Sequence, residues 1–346
     1  MKLGLVLGYS GKRVQLDMAP ILEAERLGFN SVWTAEAYGS DAVSTAAWVL
    51  ARTERIRVGT AIMQMPARTP ACAAGTAITL SQLSGGRFLL GLGPSGPQVV
   101  EGWHGVAYGR PLTRTREYIE IIRKIVAREA PVEYDGHHYQ LPYRGEDASG
   151  LGKPLKSIVY PDPELTIYTA SISPAGMRCA AEVADGVIPV WMNPERFDLF
   201  EKSLQQGFEA AGGGKGLADF DIAPFTTVVL GDDVEQCRMP VKGMLSLYIG
   251  GMGARGKNFY NDYAVRLGYE EAATKIQDLY LDGKKAEAMA AVPDALVDEI
   301  SLVGPRERIL DRLEAWKEAG AKGHVGSLLA AGASPEAMRL LAEAVL

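Results

Sequence analysis

Cysteine and histidine are scarce in this chain of 346 residues, which holds three of the first and four of the second. Cys72, Cys179 and Cys237 stand far apart, without a C-x-x-C pair, and their odd number gives no sign of a disulfide framework. They read as free thiols in a reducing compartment, so the chain is expected to be cytoplasmic. His104, His137, His138 and His324 form neither H-x-x-x-H nor H-E-x-x-H, so no metal site is expected. Long apolar runs are missing too. Leu3–Gly8 is too short for a secretory signal and reads as a first strand, and nothing reaches membrane-spanning length. A net charge of −6 argues against nucleic acid or an anionic membrane as partner and leaves a small-molecule substrate. At 47% hydrophobic and 23% charged residues the composition is that of a globular protein. A chain this long buries roughly 75% of its unfolded surface without staples.

What is present is alternation. Strand-like segments fall at Lys2–Leu7, Ser31–Thr34, Ile56–Met63, Arg87–Leu92, Leu165–Ala170, Val187–Trp191, Ile222–Leu230 and His324–Leu329. Helical segments follow them: Val14–Leu27 with Gly28 as its C-cap, Ala42–Arg52, a helix opened by Pro70 and stopped at Ser84-Gly85-Gly86, and Leu112–Arg128. Pro174–Ala184, Pro194–Ala211, Pro305–Ala319 and Pro335–Val345 continue the series. The rhythm lapses over 130–163, where Val132–Leu141 suggests a hairpin around Asp135-Gly136, and again over 232–298. Parallel strands need such crossovers. Eight units in one chain predict a single-domain α/β fold, a (β/α)8 TIM barrel with insertions after strands 4 and 7.

Gly91, Gly93 and Gly96 spell G-x-G-x-x-G, the dinucleotide fingerprint. That motif should follow the first strand of its unit, open a helix at once and precede an acid at the next strand end. Here it follows the fourth strand, Pro94 and Pro97 delay the helix, and the acid at the right distance, Glu117, lies inside a helix. The barrel reading instead places these glycines at the C-terminal rim, where barrel active sites are built and bare backbone approaches a ligand closely.

Other strand ends carry candidates. Glu36, after strand two, is either a polar contact for a cofactor and proton-transfer group or a structural acid, and Asp41 reads as a helix cap. The segment Gly59–Pro66 holds nothing ionisable and reads as core plus turn. Ser173 and Pro174 suit the N-cap and first position of a helix, whose N-terminus is either simply capped or a site for an anion. His104, in the loop after strand four, is a proton donor or a surface histidine. The glycine-rich Tyr248–Phe259, with Arg255 and Lys257, is a cationic lid or a solvated loop.

Leu83–Gly93 with Gly59–Pro70 before it resembles the bacterial luciferase-like monooxygenase superfamily. Ala181–Gly186, Tyr248–Asn261, Val303-Gly304-Pro305 and Trp316–Gly320 are similar to its deazaflavin branch, which includes methylenetetrahydromethanopterin reductase and the F420-dependent glucose-6-phosphate dehydrogenase. The resemblance implies coenzyme F420 and hydride transfer between the deazaflavin C5 and a small organic substrate. It implies a non-prolyl cis peptide at Ala61–Ile62 backing the ring, with Gly93, Pro94 and Ser95 lining it. Ser171, Ile172 and Ser173 would then offer backbone N–H groups to its phosphate. Two departures stand out: Ala37 replaces the histidine that many relatives carry after the acid, and Ser173 stands where glycine is common. With that histidine gone, Glu36 and His104 are the catalytic candidates, with Glu36 also a cofactor contact. An FMN-dependent monooxygenase and a non-catalytic flavin-binding barrel are the alternatives. The resemblance also implies a homodimer, and it leaves the substrate open.

Overall fold

The computed structural model describes residues 1–8, 12–161 and 165–346. Its first half alternates as the sequence predicts: β1 (Lys2–Val6), α1 (Ala19–Leu27), β2 (Ser31–Thr34), α2 (Ala42–Leu50), β3 (Arg57–Thr60), β4 (Met63–Gln64), α3 (Pro70–Ser84), β5 (Phe88–Gly93), α4 (Pro97–Gly102) and α5 (Pro111–Ala127). A small antiparallel hairpin, β6 (Tyr134–Asp135) and β7 (Gln140–Leu141), follows where one was expected. Then come β8 (Ile167–Ala170), α6 (Pro174–Val183), β9 (Gly186–Ile188), α7 (Asp198–Ala211), β10 (Asp221–Ile222) and β11 (Phe225–Leu230). Five helices intervene before the next strand: α8 (Val234–Ser246), α9 (Phe259–Arg266), α10 (Glu270–Leu281), α11 (Lys285–Ala290) and α12 (Asp294–Ile300). The chain ends with β12 (Leu302–Gly304), α13 (Arg306–Ala321), β13 (Ser327–Ala331) and α14 (Pro335–Val345).

The strands form a curled parallel sheet in the order β10-β9-β8-β5-β3-β2-β1-β13-β11-β12, with β4 against β5. The break between β10 and β11 falls at Ala223-Pro224, where proline has no N–H for the ladder. Hydrogen bonds still cross it: Ala223 N donates to the Val187 carbonyl (2.8 Å) and Leu329 N to the Pro224 carbonyl (3.0 Å). Among the described residues no helix is long and apolar enough to cross a membrane.

Several boundaries differ from the sequence reading, for identifiable reasons. The first helix starts at Ala19, not Val14, because Pro20 suits only a first turn and Asp17 accepts the Ala19 N–H. The third strand is two pieces, separated by a cis peptide at Ala61–Ile62. Strand six ends at Ile188, before Pro189, and the helix after it begins at Asp198. The last strand starts at Ser327, beyond a turn at Gly323 with φ 73°. β12 was not foreseen; among the described residues its three residues pair only with β11.

The interior of the curl is filled by alternating large and small side chains. Trp33, Ala61, Leu89, Tyr168, Ile188, Ala223 and Leu329 form one cluster. Trp33 and Tyr168 meet edge to face at 5.1 Å. Each needs a glycine opposite: a Cβ on Gly59 would lie 2.4 Å from the Trp33 ring, and one on Gly186 would lie 2.4 Å from the Tyr168 ring. Tyr168 and Ser327 both donate to Asp221 Oδ2 (2.9 and 2.7 Å), whereas Asp221 Oδ1 is buried without a partner among the described residues. The opposite faces of the strands carry Leu3, Leu5, Val32, Val58, Leu90, Ile167, Val187 and Leu328, which pack under the helices.

The tightest of these fits is at Gly91, where a Cβ would lie 1.7 Å from the Thr60 carbonyl oxygen. The expected cost of Gly91→Ala is about 3 kcal/mol, at the upper end for overpacking, because the obstacle is backbone. Gly39→Ala, whose Cβ meets nothing within 4 Å, should stay within about 0.5 kcal/mol. Denaturant titration of both variants checks this; equal stability would contradict it.

Candidate functional site

The rim at the C-terminal strand ends gathers most of the expected site residues into two neighbouring groups. β5 and β8 are adjacent, with Leu92 opposite Thr169. Gly93-Pro94-Ser95 and Ser171-Ile172-Ser173 therefore leave the sheet side by side.

The first group is organised by Glu36, whose side chain is 7% exposed. Its Oε1 accepts from Gln64 N (2.7 Å) and Arg68 Nη1 (2.6 Å), and its Oε2 accepts from Ala42 N (3.0 Å) and Arg68 Nη2 (3.1 Å). The bidentate pairing with arginine is the strong form of such a contact. Arg68 also pairs with Asp41, which caps α2 through Val43 N and Ser44 N as expected. Burial alone would lower the Arg68 guanidinium; its two carboxylate partners outweigh that and raise it. The carboxylate thus ties the end of β2, the start of α2, β4 and the approach to α3 to one point.

Gln64, 1% exposed, extends this group to the loop after β5. Its Nε2 donates to the Ala37 carbonyl (2.6 Å), and its Oε1 lies 2.8 Å from His104 Nε2. The cis peptide expected at Ala61–Ile62 is present. Its neighbours explain two glycines: Thr60 O fills the Cβ position of Gly91, and Ile62 Cδ1 and Cγ1 lie 2.8 Å from that of Gly93. Ser95 adopts φ 60°, the left-handed region that non-glycine residues seldom enter. Ala61, Gly93, Ala170 and Ala331 leave little side-chain bulk at the strand ends.

In the second group, Ser173 caps α6 by accepting from Gly176 N (3.1 Å), so the expected capping occurs. Ser171 Oγ occupies the space a Cβ on Gly176 would need, at 1.9 Å. Arg266, from α9, reaches this turn and donates from Nη2 to the Ile172 carbonyl (2.9 Å), with its guanidinium 5.0 Å from the Tyr263 ring centroid. Its Nη1 is buried without a hydrogen-bond partner among the described residues. Burial lowers its pKa, as expected of a cation short of acceptors.

Sequence reasoning missed Gln64, Arg68 and Arg266. A buried polar residue in an otherwise apolar strand end was the available signal for Gln64. Nothing local marked Arg266, which lies more than 90 residues from the turn it meets (|i−j| 94). The segment Tyr248–Phe259 does not carry its arginine toward the rim: Arg255 pairs with Asp278 (2.8 Å) on α10 and with Asp282 (3.7 Å) just after it. Gly250 and Gly251 there fit against Tyr280. Glu117 instead accepts the N–H groups of His137, His138 and Tyr139 and holds the β6–β7 turn.

Removing the Glu36 carboxylate should strand part of the Arg68 charge and two backbone N–H groups. Glu36→Ala is expected to lose about 3 kcal/mol of stability, Asp41 remaining as a partner. Chemical denaturation checks this, and a loss below about 1 kcal/mol would contradict the role given to the carboxylate.

The chain resembles known proteins along its whole length. It is 42% identical over 347 residues, covering 100% of this chain and 99% of the other, to Rv3520c of Mycobacterium tuberculosis, whose name provisionally makes it a coenzyme F420-dependent oxidoreductase. It is 26% identical over 326 residues to the 5,10-methylenetetrahydromethanopterin reductase of Archaeoglobus fulgidus, covering 92% of this chain and 91% of that one. Its fold superposes on the coenzyme F420-dependent tetrahydromethanopterin reductase of Methanopyrus kandleri with a TM-score of 0.76 at 21% identity, over 99% and 98% of the two chains. The luciferase-like monooxygenase profile matches residues 15–323, and the chain belongs to that family.

Proposed function

We propose that this chain is a coenzyme F420-dependent oxidoreductase that passes a hydride between the deazaflavin and a small organic substrate. The names of the relatives support the cofactor and the enzyme class. The rim residues fit such a group. The Ala61–Ile62 bulge and Gly93-Pro94-Ser95 offer backbone and small side chains to a flat ring. Ser171, Ile172 and Ser173, the start of α6 and Arg266 offer donors to a phosphate. The buried, unpartnered Nη1 of Arg266 carries most weight, because a buried donor without an acceptor is rare unless a ligand supplies one.

When bound, the deazaflavin supplies hydride chemistry at its C5. The protein's own groups do the rest. Glu36 and Arg68 hold the bulge in place; with four hydrogen bonds filling its carboxylate, Glu36 acts on the ring edge by positioning rather than by proton exchange. His104 handles the proton. The chain works as one barrel domain, with 130–163 and 232–298 as insertions, in the cytoplasm. It acts as a homodimer through α2 and α3, which touch each other and expose Trp48 (51%) and Leu83 (82%).

Titration of the apoprotein with F420 and with FMN tests the cofactor. Micromolar binding of F420 is expected; binding of FMN without F420 would favour the monooxygenase reading instead. Arg266→Met should weaken F420 about tenfold, the worth of one charge-assisted hydrogen bond, and leave the phosphate-free deazaflavin core within about twofold. Equal weakening of both ligands would remove Arg266 from the phosphate. Sedimentation at micromolar concentration should show a dimer that Trp48→Glu dissociates; a wild-type monomer would overturn that assignment.

A further inference from the structure

The amide of Gln64 has only one orientation compatible with its surroundings. Its Nε2 donates to the Ala37 carbonyl at 2.6 Å; turned over, the amide would set its own oxygen against that carbonyl, acceptor against acceptor. The side chain is buried, and the backbone N–H of the same residue is fixed on Glu36, so neither water nor a shift of the chain relieves that clash. Gln64 Oε1 therefore faces His104 Nε2, 2.8 Å away, as an acceptor, and the imidazole must donate to it. Among the described residues, His104 Nδ1 has no hydrogen-bond partner.

We infer that Gln64 is a positioning residue that holds His104 as its Nε2–H tautomer, leaving Nδ1 as the ring atom that exchanges a proton with the substrate. This rests on the oxidoreductase reading above. Hydride delivered to one atom of a polarised double bond leaves the electron pair of the broken π bond on the other atom, which then takes a proton. His104 supplies it: the Nδ1–H bond breaks, its electron pair stays on Nδ1, and the neutral ring keeps its Nε2–H on Gln64 and regains the Nδ1 proton from solvent. In the reverse direction Nδ1 accepts the proton of an alcohol or amine as hydride leaves. A neutral amide suits both stages because it accepts the same hydrogen bond from imidazole and imidazolium. The charges behind it, Glu36, Arg68 and Asp41, are paired with one another. At the end of α4, just before the histidine, the Glu101 carboxylate accepts from Tyr108 N.

Histidine-nitrogen NMR of the ligand-free protein reads the tautomer directly, with His104→Asn assigning the signal. Neutral His104 is expected as the Nε2–H form in the wild type. Gln64→Leu should give a mixture of tautomers. A wild-type Nδ1–H tautomer, or a Gln64→Leu variant that keeps the pure Nε2–H form, overturns the inference. Neither readout needs cofactor, so a failed F420 titration would sink the oxidoreductase reading while leaving the tautomer measured.

Discussion

A buried carboxylate is costly unless its lone pairs are filled, and Glu36 shows what a fold gains by filling them. Taking a carboxylate and a guanidinium out of water costs several kcal/mol per ion, and their attraction recovers this only with good geometry and further hydrogen bonds. Glu36 has both: a bidentate arginine and two backbone N–H groups from different elements. The net stability of such a pair is small, while breaking it is expensive. Its product is position. Once Gln64 N and Arg68 are tied to Glu36, the residues before them must cross from β3 to β4, and the Thr60 carbonyl comes to lie where only a glycine at 91 can face it.

The two rim groups differ in electrostatic state. Around Glu36 every strong charge has a partner, and the outermost groups are the Gln64 amide and the His104 ring. Around α6 a guanidinium keeps one buried nitrogen without an acceptor, beside the positive end of a helix. A ligand that is flat and weakly polar at one end and anionic at the other matches this division. In the function proposed above, the same division would separate tasks, since a proton-handling histidine works best away from a cation that holds an anionic tail.

Much of the fold was legible because its signals are local. Gly28, Asp41 and the Ser173-Pro174 pair end or start their helices where the sequence placed them. The apolar runs at Val32, Val58 and Leu90 are the strands they resembled. What escaped was set by contacts distant in sequence. β12 is three residues long and exists through its pairing with β11. Strand seven breaks at Pro224 yet keeps its place by donating from Ala223 N to the Val187 carbonyl and accepting from Leu329 N at the Pro224 carbonyl. Of the candidate site, Glu36 and His104 were singled out by their position after strand ends and Ala61 and Ile62 by the family resemblance, but the residues that connect them were not. Gln64 read as core plus turn because its segment holds nothing ionisable, and only its partners Ala37 and His104 show that it is a polar link.

The G-x-G-x-x-G spelling shows how a motif can be present for a different physical reason. In a dinucleotide fold its glycines make room for a pyrophosphate and for close helix–strand packing. Here the space at Gly91 is taken by the protein's own Thr60 carbonyl and that at Gly93 by Ile62. The acid at dinucleotide spacing, Glu117, spends its oxygens on three backbone N–H groups of a hairpin turn. A glycine reports that something comes close to the backbone, without saying what. In this chain the first thing to come close is the strand-three bulge, and the ring-binding role proposed for the rim depends on that bulge having been fitted against β5 beforehand.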